Sequence, residues 1–247
     1  AIYEEMAWTM VDIIQKARGK RVVIICPVGP IGQYPVFARM VNKLHLPLHN
    51  TYFINMDEYL IGQDQMISPD HPLSFQGIMD KLVYRQISPD LCMPPEQRIF
   101  PLPGKETDID QLIADFGPPD CCLTGVGING HIAFNEPPED ETQHTVATFA
   151  ELPTRCLDLS RETIINNGAN KLHGAIDLMP RRCITLGMKQ LLACKTIKIY
   201  LYCGWQWGIM RKIALEPSTP LAPASLLQNH PDSEMVITKA LYEQTLF

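Results

Sequence analysis

Six short runs of β-branched and other apolar residues constrain this chain more than anything else in it: 21–26 (RVVIIC), 51–56 (TYFINM), 120–126 (DCCLTGV), 182–186 (RCITL), 196–202 (TIKIYLY) and 234–238 (EMVIT). Most lack the polar alternation of a half-solvated strand, so both of their faces must be covered. That is the situation of parallel strands flanked by helices. The stretches between them supply the helices. Ile2, Met6, Met10, Ile13, Ile14 and Ala17 recur at helical spacing ahead of Gly19, and helices are expected over 34–44, 72–87, 108–116 and 205–215. The pattern predicts an α/β fold: one domain over residues 1–247, with a mostly parallel, Rossmann-like sheet and helices on both faces. A length of 247 residues, 46% of them hydrophobic and 19% charged, suits one substantial core. A mobile flap is expected over residues 145–170.

Charge narrows the ligand. The formal net charge is -6 and the pI about 5.6, with no Lys/Arg run, so nucleic acid and anionic membrane are poor main partners. No apolar run approaches the ~20 residues that span a bilayer. The chain begins at Ala1 rather than Met, and no signal peptide is visible. There are eight cysteines, five of them (Cys26, Cys121, Cys122, Cys183 and Cys203) in or beside core-like strands, and no CxxC pair. Free thiols acting as small hydrophobes in a reducing cytoplasm are expected, not disulfides or a zinc site.

In open α/β sheets, ligands bind beyond the carboxyl ends of the strands. Three segments fall there: VGPIG after the first run, DEY after the second and GINGHIAFNEP after the third. Asp57 and Glu58 read either as a solvated turn pair or, once desolvated, as a general base and its neighbour. Gly125, Gly127 and Gly130 permit tight turns or close approach to a ligand. His131 is a side chain able to exchange a proton near neutral pH, and Asn129 and Glu136 share its loop. The bland alternative is a structural histidine in a glycine loop.

The segments INMDEYLIG (54–62), HPLSF (71–75) and GVGINGHIAFNEP (125–137) resemble the glucosamine-6-phosphate deaminase family, which shares a superfamily with 6-phosphogluconolactonases. The FNEP ending is closer to the deaminase branch. Weaker similarity runs through Thr154-Arg155, Ser160-Arg161, Leu186-Gly187 and 225–231, so most of the chain is covered in order. The resemblance implies an amino-sugar phosphate isomerase/deaminase working by acid–base catalysis. It also implies a small-molecule sugar-phosphate ligand, no metal and no redox cofactor. Asp57 takes the place of the family's base, which moves a proton between C1 and C2. His131 matches the ring-opening histidine, Glu136 the carboxylate supporting it, and Glu58 a group beside the base. Arg161 best matches a phosphate-binding arginine, with Arg155 second. His230 reads as a loop residue or, as the resemblance implies, one near the site or a subunit contact. Family members often form homo-oligomers.

Four departures mark the chain as divergent. Asn129 stands where the family usually has Asp, and an amide lacks the full charge that would stabilise an imidazolium. The loop Pro27-Val28-Gly29-Pro30-Ile31-Gly32 replaces a Thr/Gly/Ser-rich phosphate loop. Pro30 has no N–H, which leaves Gly29, Gly32 and their neighbours to form a partial anion nest. Gly204-Trp205-Gln206-Trp207 replaces a Gly-x-x-Lys setting, and Trp207 can stack on a sugar but cannot neutralise a phosphate. Finally, residues 139–151 carry no Lys or Arg, so activation by an N-acetylated sugar phosphate is not expected. A lactonase-like hydrolase and a non-catalytic sugar-binding or regulatory protein are the competing readings.

Overall fold

The computed structural model describes residues 1–140 and 142–245. Among these residues ten strands run in chain order: β1 (Val22–Cys26), β2 (Thr51–Asn55), β3 (Asp57–Ile61), β4 (Gln65–Met66), β5 (Arg98–Ile99), β6 (Cys121–Thr124), β7 (Arg155–Asp158), β8 (Arg182–Thr185), β9 (Thr196–Leu201) and β10 (Ser233–Ile237). The helices are α1 (Ile2–Lys16), α2 (Gln33–Leu44), α3 (Phe75–Met79), α4 (Asp108–Phe116), α5 (Val146–Ala150), α6 (Arg161–Lys171), α7 (Met188–Leu192), α8 (Trp207–Leu215) and α9 (Lys239–Tyr242). Six strands form an all-parallel sheet in the order β10-β9-β6-β1-β2-β5.

The side chains explain why this sheet is covered on both sides. Along β1, Val22, Ile24 and Cys26 join one apolar cluster with Met6, Met10, Phe37 and Val41 of α1 and α2. Val23 and Ile25 point the other way, into a second cluster with Ile109 of α4 and Ile209 and Ile213 of α8. Alternation along a strand delivers successive residues to opposite faces, and each fully buried Val or Ile contributes about 1.5–3 kcal/mol.

The expected mostly parallel sheet with helices on both faces is therefore present, but it is accompanied by a second sheet. β4-β3-β8-β7 is antiparallel. The run at 182–186 belongs to this second sheet, and the chain leaving β2 enters it at once instead of turning into a loop. Met56 is the junction: its N–H donates to the Cys26 carbonyl (3.2 Å) and its carbonyl accepts from Leu186 N–H (2.7 Å). Asp57 is thus the first residue of an internal strand. The helix expected over 72–87 is also interrupted. α3 starts at the Ser74 cap, which accepts from Gly77 N–H, and gives way to a π-helical turn at Asp80–Tyr84. The segment 145–170 is built from α5, β7 and most of α6.

Candidate active site

The carboxyl ends of β1, β2, β6 and β9 open toward the second sheet and α6, around a cavity of about 390 Å³. Asp57 and His131 both line it. The carboxylate leaving the second strand and the imidazole leaving the β6 loop therefore meet at one cleft.

Asp57 is 5% exposed, and among the described residues its carboxylate accepts no hydrogen bond. Burial pushes this carboxyl up to about 8, against the pull of the Lys171 ammonium and with the help of the neighbouring Glu58. Glu58 faces away from the cavity. It accepts from Tyr59 N–H (2.9 Å), Ser74 Oγ (3.0 Å), Phe75 N–H (3.0 Å) and Gln76 N–H (2.8 Å), tying β3 to the start of α3. Burial raises its pKa, and those four donors hold it down.

His131 is positioned by its own loop. Gly127 N–H donates to the His131 carbonyl (2.9 Å), which folds the loop back on itself. The imidazole then lies where a Gly127 Cβ would be, 2.0 Å from the ring Cε1, so no side chain larger than hydrogen fits there. The imidazole Nδ1 is 2.8 Å from Asn129 Oδ1, 3.1 Å from Thr163 Oγ1 and 3.3 Å from Glu136 Oε2. Asn129 Nδ2 donates to Glu136 Oε2 (2.7 Å) and Ser160 Oγ (3.0 Å), which leaves its oxygen to accept from the ring. In the neutral ring that arrangement puts the proton on Nδ1 and a lone pair on Nε2. Burial alone would raise the Glu136 carboxyl, but the His131 ring and the Asn129 and Thr163 hydrogen bonds outweigh it and hold it down at about 2.

The arrangement offers two proton carriers of different character: an imidazole backed by an anionic carboxylate, and a desolvated carboxyl. No family model matches the chain. Glucosamine-6-phosphate deaminases of Lachnoclostridium phytofermentans and Rhodopirellula baltica are each 30% identical over 213 residues. The alignments span 84% and 85% of this chain, and 82% and 78% of theirs. The chain belongs to the glucosamine-6-phosphate deaminase family. Among solved structures, a monomeric glucosamine-6-phosphate deaminase superposes with a TM-score of 0.81 at 24% identity, covering 98% of this chain and 94% of that one. The 6-phosphogluconolactonase of Thermotoga maritima gives 0.67 at 14% identity, covering 96% and 95%.

Set against the glucosamine-6-phosphate deaminase pattern, the other site candidates divide. Gly29 lines the cavity, with Val28, Pro30 and Ile31 beside it. Gly32 does not; its missing Cβ makes room for the Tyr3 ring, 2.5 Å from where that atom would be. Gly130 lies behind the site, its carbonyl accepting from Ala224 N–H (2.9 Å). Arg155 is turned to Asn135 Oδ1 (2.8 Å) and the Pro153 carbonyl (3.2 Å), and Arg161 is exposed; neither lines the cavity. Trp205 lines it, whereas Trp207 does not and carries the Arg211 guanidinium 5.1 Å above its ring. His230 bonds the Cys194 carbonyl through Nε2 (2.8 Å) and lies outside the lining.

Sequence reasoning missed Thr163, Gln206 and the α6 residues Asn166, Asn167, Asn170 and Lys171, all of which line the cavity except Thr163. Gln206 joins two strand ends: its Oε1 accepts from Tyr202 and Cys203 N–H (2.9 Å each) and its Nε2 donates to the Val126 carbonyl (2.9 Å). The signal for the α6 group is the 166–171 stretch (NNGANK), whose polar residues recur at helical spacing.

Proposed function

We propose that the protein is an aldose–ketose isomerase that deaminates an amino-sugar phosphate of the glucosamine-6-phosphate type. One observation carries this reading: a desolvated Asp57, whose carboxylate accepts no hydrogen bond among the described residues, and the Nε2 edge of His131 share a cavity large enough for an open-chain sugar phosphate.

His131 Nε2 accepts the C1 hydroxyl proton and returns it to the ring oxygen, which opens the sugar. Asn129 and Glu136 hold the ring for this exchange, and the Glu136 charge stabilises the imidazolium formed between the two transfers. Asp57 removes the C2 proton of the open aldose and delivers it to C1. The electron pair of the C2–H bond forms the C1=C2 double bond of an enolamine while O1 takes up a proton; the nitrogen lone pair then forms the C2=N bond as the nitrogen gives up a proton and C1 receives the one Asp57 holds, so C1 is reduced and C2 becomes an imine. A buried carboxylate without hydrogen bonds is a stronger base than a solvated one, and one fixed group can take and return the proton on the same face. Water adds to the C2 imine and ammonia leaves, giving the ketose phosphate. In a lactone hydrolase His131 would activate water and Asp57 would have no task, so the deaminase reading accounts for more of the site.

Among the described residues no helix is long and apolar enough to cross a membrane. The eight free cysteines, six of them buried, suit a reducing cytoplasm, where the substrate would be met. Incubation with glucosamine-6-phosphate and with galactosamine-6-phosphate should release ammonia and ketose phosphate in equal amounts from at least one of them. Folded protein that turns over neither defeats the proposal.

A further inference from the structure

The cavity has two unlike walls. One is the loop after β1 with Trp205: Val28, Pro30 and Ile31 offer no side-chain donor, and Pro30 has no N–H. The other is α6. Asn166, Asn167, Asn170 and Lys171 sit at i, i+1, i+4 and i+5 and therefore on one helical face, and that face lines the cavity. Lys171 is the single Lys or Arg among the described residues that line the cavity.

Its surroundings are unusual for a lysine. The ammonium lies 4.9 Å from the Phe75 ring centroid and 5.9 Å from that of Tyr59, and among the described residues no carboxylate is within 4.0 Å. Lys16, Lys195 and Lys198, by contrast, each have a carboxylate at 2.7–2.9 Å. Asp57 and Glu58 act on it only from beyond that distance, so the cost of taking the ammonium out of water is only partly offset, and an incoming anion would relieve it. Arg161 begins the same helix, ten residues earlier, hence about 15 Å away along the axis. The two cations at the ends of α6 cannot both grip one phosphate held in the cavity.

We propose that Lys171, flanked by Asn166, Asn167 and Asn170 on one face of α6, holds the substrate's phosphate, so that the anion is gripped by this helix and not by the loop after β1. This rests on the deaminase reading for the identity of the ligand. It makes Lys171 a specificity-determining residue for phosphorylated over unphosphorylated amino sugars, with the asparagine amides donating to the remaining phosphate or sugar oxygens. The apolar wall opposite is left to pack against the carbon chain, which is a use Trp205 suits.

Lys171→Met, Lys171→Arg and Arg161→Met separate the possibilities. Lys171→Met should raise KM for the phosphorylated sugar about ten- to a hundredfold with a much smaller change in kcat, and should weaken inhibition by inorganic phosphate in parallel. Lys171→Arg should recover most of the affinity. Calorimetric titration of inorganic phosphate and glucosamine-6-phosphate into wild type and Lys171→Met reads the same loss without turnover, so it stands even if the reaction assignment fails. Binding of unphosphorylated glucosamine should be the same in both. The proposal is overturned if phosphate binding survives in Lys171→Met and is lost in Arg161→Met. It is equally overturned if Lys171→Met lowers kcat and displaces the pH profile at constant KM, which would make Lys171 a partner of Asp57 only.

Discussion

A carboxyl that must be ionised to act as a base is hampered by the same burial that makes it strong. Asp57 has its pKa pushed from 3.8 up to about 8 by burial. The free enzyme's kcat/KM should therefore climb with pH, tenfold per unit, and level off only above about pH 8. A profile already flat at pH 6 would remove Asp57 from the role of base. The same shift has a stability consequence. A group whose folded pKa is raised favours folding fully below its unfolded value, and that contribution is lost as pH rises from about 4 through about 8. Asp57→Asn should therefore abolish turnover yet melt higher than wild type at pH 9, by on the order of a few kcal/mol, and melt like wild type near pH 4. Gly127→Ala tests the second carrier: the new methyl carbon would sit 2.0 Å from the imidazole, so the ring must move. A displacement of that size should cost about a hundredfold in kcat with the fold kept, as circular dichroism and kinetics would show. The cluster around His131 was legible in the sequence because Asn129 and Glu136 are local to it. Thr163 and Lys171 were not, because they arrive from a helix 32 and 40 residues further along, through tertiary packing alone.

At the scale of elements, Glu58 matters more than its place beside the base suggested. Its two oxygens collect four donors, two of them the otherwise unpaired backbone N–H groups at the start of α3. Glu58→Gln should destabilise the protein by about 2–3 kcal/mol, because an NH₂ would then face a donor in a fully buried setting. A denaturant midpoint unchanged by this substitution would show that the carboxylate does not secure α3. Why such a residue was read as part of a loop is instructive. The parallel strands announced themselves through runs such as VVIIC, buried on both faces. The passage from β2 to β3 has no glycine or proline to mark it. One residue, Met56, makes the switch, and what redirects the chain is hydrogen bonding to Cys26 and Leu186, partners 30 and 130 positions distant. The two-residue edge strand β5 is likewise too short to carry a pattern, and β7 pairs within a stretch expected to be a flap.

For the molecule as a whole, the cavity lies along the seam between a rigid parallel sheet and a smaller antiparallel one that carries the helix opposite it. The sheet side is anchored by two apolar clusters, whereas α6 buries only Thr163, Ile164 and Gly168. Among the described residues, four hydrogen bonds that involve side chains tie α6 and its cap back to the body, and all four end at or beside the site: Ser160 Oγ to Asn129, Ser160 N–H to Glu136, Thr163 to His131 and Asn167 to the Tyr59 hydroxyl. An element that buries so little and is tied down largely at the edge of the site is drawn from the low-stability end of the fold, and its order should depend on what fills the cavity. Amides of 161–171 should therefore exchange with solvent well before those of β1 and β6 in the free protein. Saturating glucosamine-6-phosphate or inorganic phosphate should slow exchange in α6 tenfold or more while leaving β1 and β6 unchanged. The mass spectrometric readout distinguishes this from general stabilisation, which would slow the sheet as well. Protection of α6 equal to that of the sheet in the empty protein would show that the helix is a fixed wall, and recognition would then have to be explained without any closing of 145–170 over the substrate.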